Sequence, residues 1–247
     1  MLRLHPKPTN AIPLQARPET TESTMENNTP YVITIGRQLG SGGRLLGQQL
    51  AKRLDVAYYD KVVLSQAAED TGLGRNVFHH TNDRKGFLRQ FIGAVQPFVG
   101  GGDFYASHQL SEENLFTLQS GVIKRIANER SCVIVGRAAD YILRDHQRCA
   151  KIFITANAED RVRRVMDQKK IDYKSAMKMI NHVDNQRSGY YNFHTENTWG
   201  SAETYDLCIN ISALGAEETL EFIVDFVCRK LQIEAPKQES PSIPEVF

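Results

Sequence analysis

Short apolar strands alternate with amphipathic helices along the chain, and this alternation constrains the fold more than any other feature. Residues 31–35 (YVITI) are a β-branched run that stops at a glycine and predicts a buried strand. A helical pattern follows the turn directly, with apolar residues on one face from Leu46 to Leu54. Further strand patterns lie at 132–135, 151–155 and 205–209. Strands that alternate with helices favour parallel pairing, so we expect an α/β sandwich.

The two ends of the chain and one internal stretch depart from this pattern. Residues 1–30 are rich in Pro, Thr and Asn without an apolar block, and 233–247 have the composition of a solvated tail, so both are expected to be disordered. Residues 1–18 contain Arg and Lys but no acid, so the alternatives for the N-terminal extension are a transit peptide and a start of translation at Met25. Residues 61–130 look mainly helical, which predicts an inserted subdomain within one domain over 31–232.

Charge and cysteine usage exclude several classes of protein. Thirty Lys and Arg against 29 Asp and Glu leave a net charge of +1, so no overall field favours nucleic acid or an anionic membrane. No apolar stretch approaches the roughly 18 residues of a membrane span. The four cysteines form no C-x-x-C pair and the histidines no H-x-x-H spacing, so no zinc site is expected. We expect a cytoplasmic protein with small-molecule partners.

The turn after the first strand, Gly36–Arg44 (GRQLGSGGR), is the first candidate site. Gly40, Gly42 and Gly43 allow successive backbone N–H groups to turn inward, and the N-terminus of the following helix adds partial positive charge. Both features suit phosphate oxygens, and Arg37 flanks the turn on the other side. The alternative is a tight turn that needs glycine for its backbone conformation alone.

The turn departs from the Walker A pattern G-x-x-x-x-G-K-[ST]. Gly43 stands where the lysine belongs, and Arg44 stands where the Ser or Thr that binds Mg²⁺ belongs. A guanidinium replaces the charge of the lysine and suits phosphate, but it does not coordinate Mg²⁺. The metal would then be held by nucleotide and water, or by an acid from elsewhere.

Several stretches together resemble the cytidylate kinase-like family, relatives of the P-loop nucleoside monophosphate kinases. They are I-G-R-x-x-G-S-G-G-R at 35–44, Y-Y-D-K at 58–61, VIVGRAAD at 133–140, KIFITANAEDRVRR at 151–164, D-x-x-R at 184–187 and YDLCINIS at 205–212. The likeness covers about residues 31 to 232. Each piece is weak alone, and the combination is specific.

The resemblance implies a P-loop-type three-layer sandwich with a parallel sheet, a helical NMP-binding-like insertion at about 61–130 and a mobile lid at about 168–204. It also implies transfer of the γ-phosphoryl group of ATP, with Mg²⁺, to CMP or dCMP. Phosphoryl transfer needs two nucleotides held in line and the charge on the moving group neutralised, so arginines are the residues to look for.

The resemblance also assigns roles to individual residues. The catalytic set is Arg44, Arg161 and Arg187. Donor phosphates would be bound by Arg37, Gly40, Ser41, Gly42, Gly43 and Arg164. The acceptor would be bound by Asp60, Arg137, Asp140 and Asp184, of which Asp140 or Asp184 would contact ribose or base or orient an arginine. No protein ligand is assigned to a metal.

Alternatives remain for these residues and for the function. Arg161, Arg163 and Arg164 also fit a solvated charge run on a helix, and Asp60 also fits the end of a strand. Ile180 stands where the lid pattern has its first arginine. The aromatic residues Tyr190, Tyr191, His194 and Trp199 would stack on a base or pack in the core or lid.

The rival functions are a catalytically silent nucleotide-binding or regulatory module and a kinase for a non-nucleotide acceptor. The oligomeric state is open.

Overall fold

A computed structural model describes residues 29–61, 63, 64, 112–234 and 236. The predicted N-terminal extension, most of the predicted insertion and nearly all of the predicted tail lie outside these residues. Within the described ranges, no helix is both long enough and apolar enough to cross a membrane.

One parallel sheet of five strands forms the centre of the fold, in the order β2-β3-β1-β4-β5. The strands are β1 (Val32–Arg37), β2 (Ala57–Tyr59), β3 (Cys132–Val135), β4 (Cys149–Thr155) and β5 (Leu207–Asn210). The chain leaves β1 toward β2 on one side of the sheet and leaves β4 toward β5 on the other. A topological switch point therefore lies between the carboxyl ends of β1 and β4, where sheets of this kind bind ligands.

The helices cover both faces of the sheet. They are α1 (Gly43–Arg53), α2 (Glu112–Glu129), α3 (Ala139–Ile142), α4 (Ala158–Lys169), α5 (Tyr173–Thr195), α6 (Ile211–Leu214) and α7 (Ala216–Leu231). Side chains alternate along β1, so Ile33 and Ile35 pack against α1 and α7, while Val32 packs against α2 and α3. These three layers confirm the predicted α/β sandwich with a parallel sheet.

Helices α4 and α5 pack on each other beside the carboxyl ends of the strands. Val162 and Val165 of α4 form a small buried cluster with Ala176 and Ile180 of α5. Ile180, at the position of the first arginine of the lid pattern, thus belongs to an apolar contact between two helices. The segment predicted as a lid, 168–204, consists mainly of α5.

Candidate active site

The glycine-rich turn between β1 and α1 has a backbone that other residues do not adopt readily. Gly40 and Gly42 have φ values of 76° and 87°. A Cβ atom placed on Gly40 would lie 2.6 Å from the carbonyl oxygen of Arg161, so helix α4 packs directly on the turn. The hydroxyl of Ser41 donates to Gln38 O at 2.9 Å and accepts from the N–H of Gly43 at 3.3 Å. Ser41 therefore braces the turn from within.

The turn presents several N–H groups that could bind an anion. The first helical bond of α1 runs from the N–H of Leu46 to Gly42 O, and no side chain caps the helix. In the part of the chain that the structure describes, no acceptor meets the N–H groups of Gly40, Gly42, Arg44 and Leu45. Such a set of N–H groups at a helix N-terminus suits phosphate oxygens.

Arg37, the last residue of β1, extends its side chain between two glycines. A Cβ atom on Gly43 would lie 2.8 Å from the Cβ atom of Arg37. A Cβ atom on Gly136, directly after β3, would lie 2.0 Å from Nη1 of Arg37. Both positions therefore require glycine as long as Arg37 holds this conformation. The side chain that starts against the position of the missing Walker lysine and places its guanidinium against Gly136 is that of Arg37.

Arg37 is close to two other guanidinium groups, those of Arg137 and Arg187. Burial, and after it the charge of Arg187, lower the pKa of Arg37 to about 9. Burial also lowers the pKa of Arg137 and the pKa of Arg187, although Asp184 opposes the shift at Arg187. No hydrogen bond or ion pair of the Arg37 guanidinium is formed within the described ranges. The charged forms of these neighbouring guanidinium groups are disfavoured, and a bound anion would stabilise them. Their location is therefore a candidate anion site.

Arg137 is held by its backbone and by α2. It has a φ of 65° and Ala138 has a φ of 51°, an uncommon pair of left-handed residues without glycine. The side-chain amide of Gln119 donates to Arg137 O at 3.1 Å and to the hydroxyl of Tyr190 at 3.0 Å. Gln119 was not a predicted site residue, since a single glutamine in a helical pattern carries no signal in the sequence.

Arg44 is turned away from the loop by an acidic partner. Its Nη2 atom lies 2.8 Å from Oδ2 of Asp60, and its side chain is 66% exposed. Asp60 also accepts the N–H of Val63 at 3.3 Å, so it both ends β2 and caps the following segment. Arg44 thus has an acidic partner in the structure, and its role as the substitute for the Walker lysine stays a prediction. Next to Asp60, burial and then Arg137 lower the pKa of Lys61 to about 8, which adds a cation that sequence reasoning did not assign.

Arg161 and Arg164 of α4 bind carbonyl groups of the turn. Nε of Arg161 donates to Leu39 O at 2.8 Å. Nη1 of Arg164 donates to Gly40 O at 2.9 Å and to Ser41 O at 3.2 Å. Both arginines are engaged with the protein, unlike a solvated charge run, whereas Arg163 is 71% exposed and pairs only with Asp160 of its own helix.

Asp184 of α5 lies against the turn as well. Its carboxylate accepts the N–H of Leu39 at 2.8 Å and bonds to Arg161 and, at 3.5 Å, to Arg187. Arg187 in turn donates to Arg37 O at 3.1 Å. Of the two predicted roles of Asp184, contact with a ribose or base and orientation of an arginine, the structure contains the second.

Asp140 is buried and bonded to α5. The hydroxyl of Tyr191 donates to Oδ2 of Asp140 at 2.6 Å, while burial raises the pKa of Asp140. Burial and the nearby Asp140 raise the pKa of Tyr205 too, and a Cβ atom on Gly36 would lie 3.1 Å from its hydroxyl oxygen. The carboxylate of Asp140 is therefore bonded to Tyr191 in the structure, and its predicted contact with the acceptor stays a prediction.

Aromatic residues of the predicted lid pack against protein groups. The ring of Trp199 meets Phe153 edge-on at 5.2 Å between centroids, and His194 stacks on Phe116 at 4.3 Å. These two contacts fit packing, and stacking on a base stays a prediction.

The bond between Tyr191 and Asp140 makes a testable contribution to stability. We expect Tyr191→Phe to lower the free energy of unfolding by about 1–3 kcal/mol at neutral pH, because a buried carboxylate loses a donor. The pKa of Asp140 in the folded protein is above its ordinary value of 3.8. The contribution of this group to stability is therefore complete below pH 3.8 and is lost as the pH rises through the folded pKa. Tyr191→Phe raises this pKa further, and its effect should be larger at pH 8 than at pH 5.

Urea unfolding at both pH values measures this difference. Tyr173→Phe, which changes a tyrosine that is 60% exposed on the same helix, is the matched control and should change neither value. An equal loss at the two pH values would contradict the ionised carboxylate as the cause.

The side chains around the turn do not form a protein site for Mg²⁺. Among the residues described, no three acidic, histidine or cysteine side chains are grouped to hold a metal ion. The two carboxylates nearest the turn, Asp60 and Asp184, are bonded to arginines, and Arg44 stands where a hydroxyl ligand is expected.

Comparison with known proteins gives one family and several related structures. The model of the cytidylate kinase-like family matches residues 32–213. A crystal structure of an uncharacterized protein from Eubacterium ventriosum is 28% identical, with a TM-score of 0.61 over 80% of this chain and 98% of that one. No curated protein matches the sequence.

Two kinases of known structure are also similar, at lower identity. Shikimate kinase from Bacteroides thetaiotaomicron is 13% identical, with a TM-score of 0.46 over 80% of this chain and 98% of that one. A gluconokinase from Sinorhizobium meliloti is 11% identical, with a TM-score of 0.47 over 83% of this chain and 95% of that one. At this level of similarity neither name transfers to the present chain.

Proposed function

The chain belongs to the cytidylate kinase-like family, and from this premise we propose that it transfers the γ-phosphoryl group of ATP to a nucleoside monophosphate, with CMP or dCMP preferred. The observation that carries the proposal is the Arg37 side chain, whose Cβ atom lies against Gly43 and whose guanidinium lies against Gly136 without a hydrogen bond or ion pair in the described ranges. It stands beside loop N–H groups that also lack acceptors there. An anion with several oxygens matches both sets of donors.

The sheet order divides the site into a donor side and an acceptor side. The glycine-rich turn leads from β1 into α1, and we propose that the N–H groups of Gly40 and Gly42 bind the donor phosphates, while Gly43, whose N–H donates to Ser41, allows the close approach of the chain. Arg137 follows β3 and would bind the acceptor phosphate. Arg37 lies between them and would contact the group in transit, with Arg187 at its edge. We propose that Arg44, which is held by Asp60, contributes to the acceptor side.

The reaction exchanges one P–O bond for another. An oxygen of the acceptor monophosphate forms a bond to the γ-phosphorus of ATP as the bond from that phosphorus to the ADP oxygen breaks. The electron pair leaves with ADP, and a dianionic acceptor has no proton to lose. The protein supplies alignment and positive charge, which is most of what phosphoryl transfer requires. Mg²⁺ would enter with the nucleotide, held by phosphates and water.

A steady-state assay of ADP release tests the proposal. Protein, ATP and Mg²⁺ are combined with CMP, dCMP, UMP or AMP in turn. We expect ADP release to depend on the monophosphate and to be fastest with CMP or dCMP. Arg44→Ala should lower the rate, because a nearly buried Asp60 then loses its partner near the acceptor.

The rival functions predict different outcomes of the same experiment. The missing Walker lysine and hydroxyl favour a silent nucleotide-binding module, which would bind ATP in a calorimeter while ADP release stays at background with every acceptor. A kinase for a non-nucleotide acceptor would bind ATP and release ADP only with that other acceptor. Either result would reject the nucleoside monophosphate.

A further inference from the structure

The carbonyl oxygens of the glycine-rich turn are capped by arginines from far along the chain. Arg161 bonds to Leu39 O, and Arg164 bonds to Gly40 O and Ser41 O. These pairs are 122 to 124 residues apart in sequence. Three consecutive carbonyl groups are therefore held on one side of the turn, the side on which α4 packs.

Capping these carbonyl groups has a consequence for the N–H groups. In a planar trans peptide unit the C=O and the following N–H point in opposite directions. Fixing Leu39 O and Ser41 O toward α4 therefore points the N–H groups of Gly40 and Gly42 away from α4. These are two of the groups for which the described part of the chain offers no acceptor. The arginines thus orient the donors that a phosphate would meet.

Asp184 completes this arrangement from α5. Its carboxylate holds the N–H of Leu39 and bonds to Arg161, and both side chains are largely buried, at 14% and 11% exposure. Both backbone polar groups of Leu39 are therefore hydrogen-bonded: its N–H donates to the carboxylate of Asp184, and its C=O accepts from the guanidinium of Arg161. An ion pair removed from water holds its geometry better than one on the surface.

We propose that Arg161 and Arg164, fixed by Asp184, are positioning residues that orient the phosphate-binding N–H groups and act through the turn without touching the nucleotide. The inference rests on the proposed function, since it names how that site is held in shape. It differs from the role that the family resemblance implied, in which Arg161 and Arg164 contact the donor or the transferred group directly.

Arg164→Met separates the two roles, because methionine keeps an unbranched side chain of similar helix propensity and removes both bonds to the turn. Two readouts are needed. The first is amide hydrogen exchange of Gln38 and Leu39, which are both hydrogen-bonded in the structure, measured without nucleotide. The second is the dissociation constant of ATP from calorimetry. We expect exchange to become about tenfold faster and ATP binding about tenfold weaker, while exchange in α7 is unchanged.

Arg163→Met is the matched control, since it removes an exposed arginine one residue away and should change neither readout. Arg164→Lys, which still donates to a carbonyl oxygen, should recover most of both. Should Arg164→Met fail to fold, Asp184→Asn tests the same arrangement, with faster exchange of Leu39 as the expected result.

The outcomes distinguish the inference from the function on which it rests. Weaker ATP binding with unchanged exchange would mean direct contact with the nucleotide and overturn the inference. Faster exchange with unchanged ATP binding would overturn it as well, because the orientation would then have no effect on binding. Absence of ATP binding by the unmodified protein would reject the proposed function, and the exchange data would still decide whether Arg164 holds the turn.

Discussion

Arg37→Met is expected to lower kcat/KM for phosphoryl transfer by about 10³-fold, the magnitude found when an arginine that neutralises a transferred phosphoryl group is lost. Two neighbouring guanidinium groups are held elsewhere, since Arg44 is bonded to Asp60 and Arg187 is bonded to the backbone of Arg37 and to Asp184. The side chain at position 37 lies between the loop and the segment after β3, where donor and acceptor phosphates would meet.

The same substitution should leave the fold at least as stable as before. The pKa of Arg37 in the folded protein is about 9, which is below its ordinary value of 12.5. At every pH below about 9, folding therefore carries the cost of burying the charged guanidinium. Methionine removes this penalty, so the melting temperature at pH 7 should equal or exceed that of the unmodified protein. For the unmodified protein, stability from this group should rise as the pH increases through about 9.

Steady-state kinetics and thermal unfolding at pH 7 measure the two effects. Arg163→Met is the control, since it removes a charge of the same kind from an exposed site, and it should leave both values unchanged. Activity of Arg37→Met within a few-fold of the unmodified enzyme would show that Arg37 is not the cation of the loop.

Gly43→Lys, which rebuilds the Walker lysine, is expected to inactivate the enzyme by about 10²-fold or more and to destabilise it by about 1–3 kcal/mol. A Cβ atom at position 43 would lie 2.8 Å from the Cβ atom of Arg37 and 3.3 Å from that of Ile154. The new side chain therefore displaces Arg37 before it can reach a phosphate. The lysine side chain at position 43 and the Arg37 side chain would occupy the same volume.

A double variant provides the control for this second prediction. Arg37→Gly combined with Gly43→Lys removes the closest contacts, so it should be more active and more stable than Gly43→Lys alone. Kinetics and urea unfolding of the single and double variants give the coupling between the two positions. Higher activity of Gly43→Lys alone would contradict the view that Arg37 has replaced the lysine.

The strands and helices were predicted closely, and the differences have local causes. The strand expected at 151–155 begins earlier, at Cys149, because it pairs with β1 from Val32 onward. The strand expected at 205–209 begins later, at Leu207, because the chain first makes a turn at Ala202–Thr204. Pairing partners and turns in the tertiary structure set these ends, and periodicity alone does not contain them.

The site was predicted in composition and only partly in arrangement. The sequence identified the arginines, and it placed the glycine-rich turn at the mouth of the first strand. It assigned the replacement cation to Arg44, which is next to the turn in the chain but bonded to Asp60 in space. It assigned Asp140 to the acceptor, but this side chain is buried against Tyr191. Neither partner is visible without the fold.

The order of strands and helices, and the need for glycine at Gly40 and Gly42, follow from the sequence by itself, because hydrophobic periodicity and positive φ are properties of a few consecutive residues. Which partner each guanidinium has was decided by the tertiary structure alone. Arg37 meets Gly136, and Arg161 meets Leu39, across about a hundred residues or more of chain. The partner of each arginine depends on how close other charges and atoms lie in space. Those distances are set only when the carboxyl ends of the strands come together in the folded sheet.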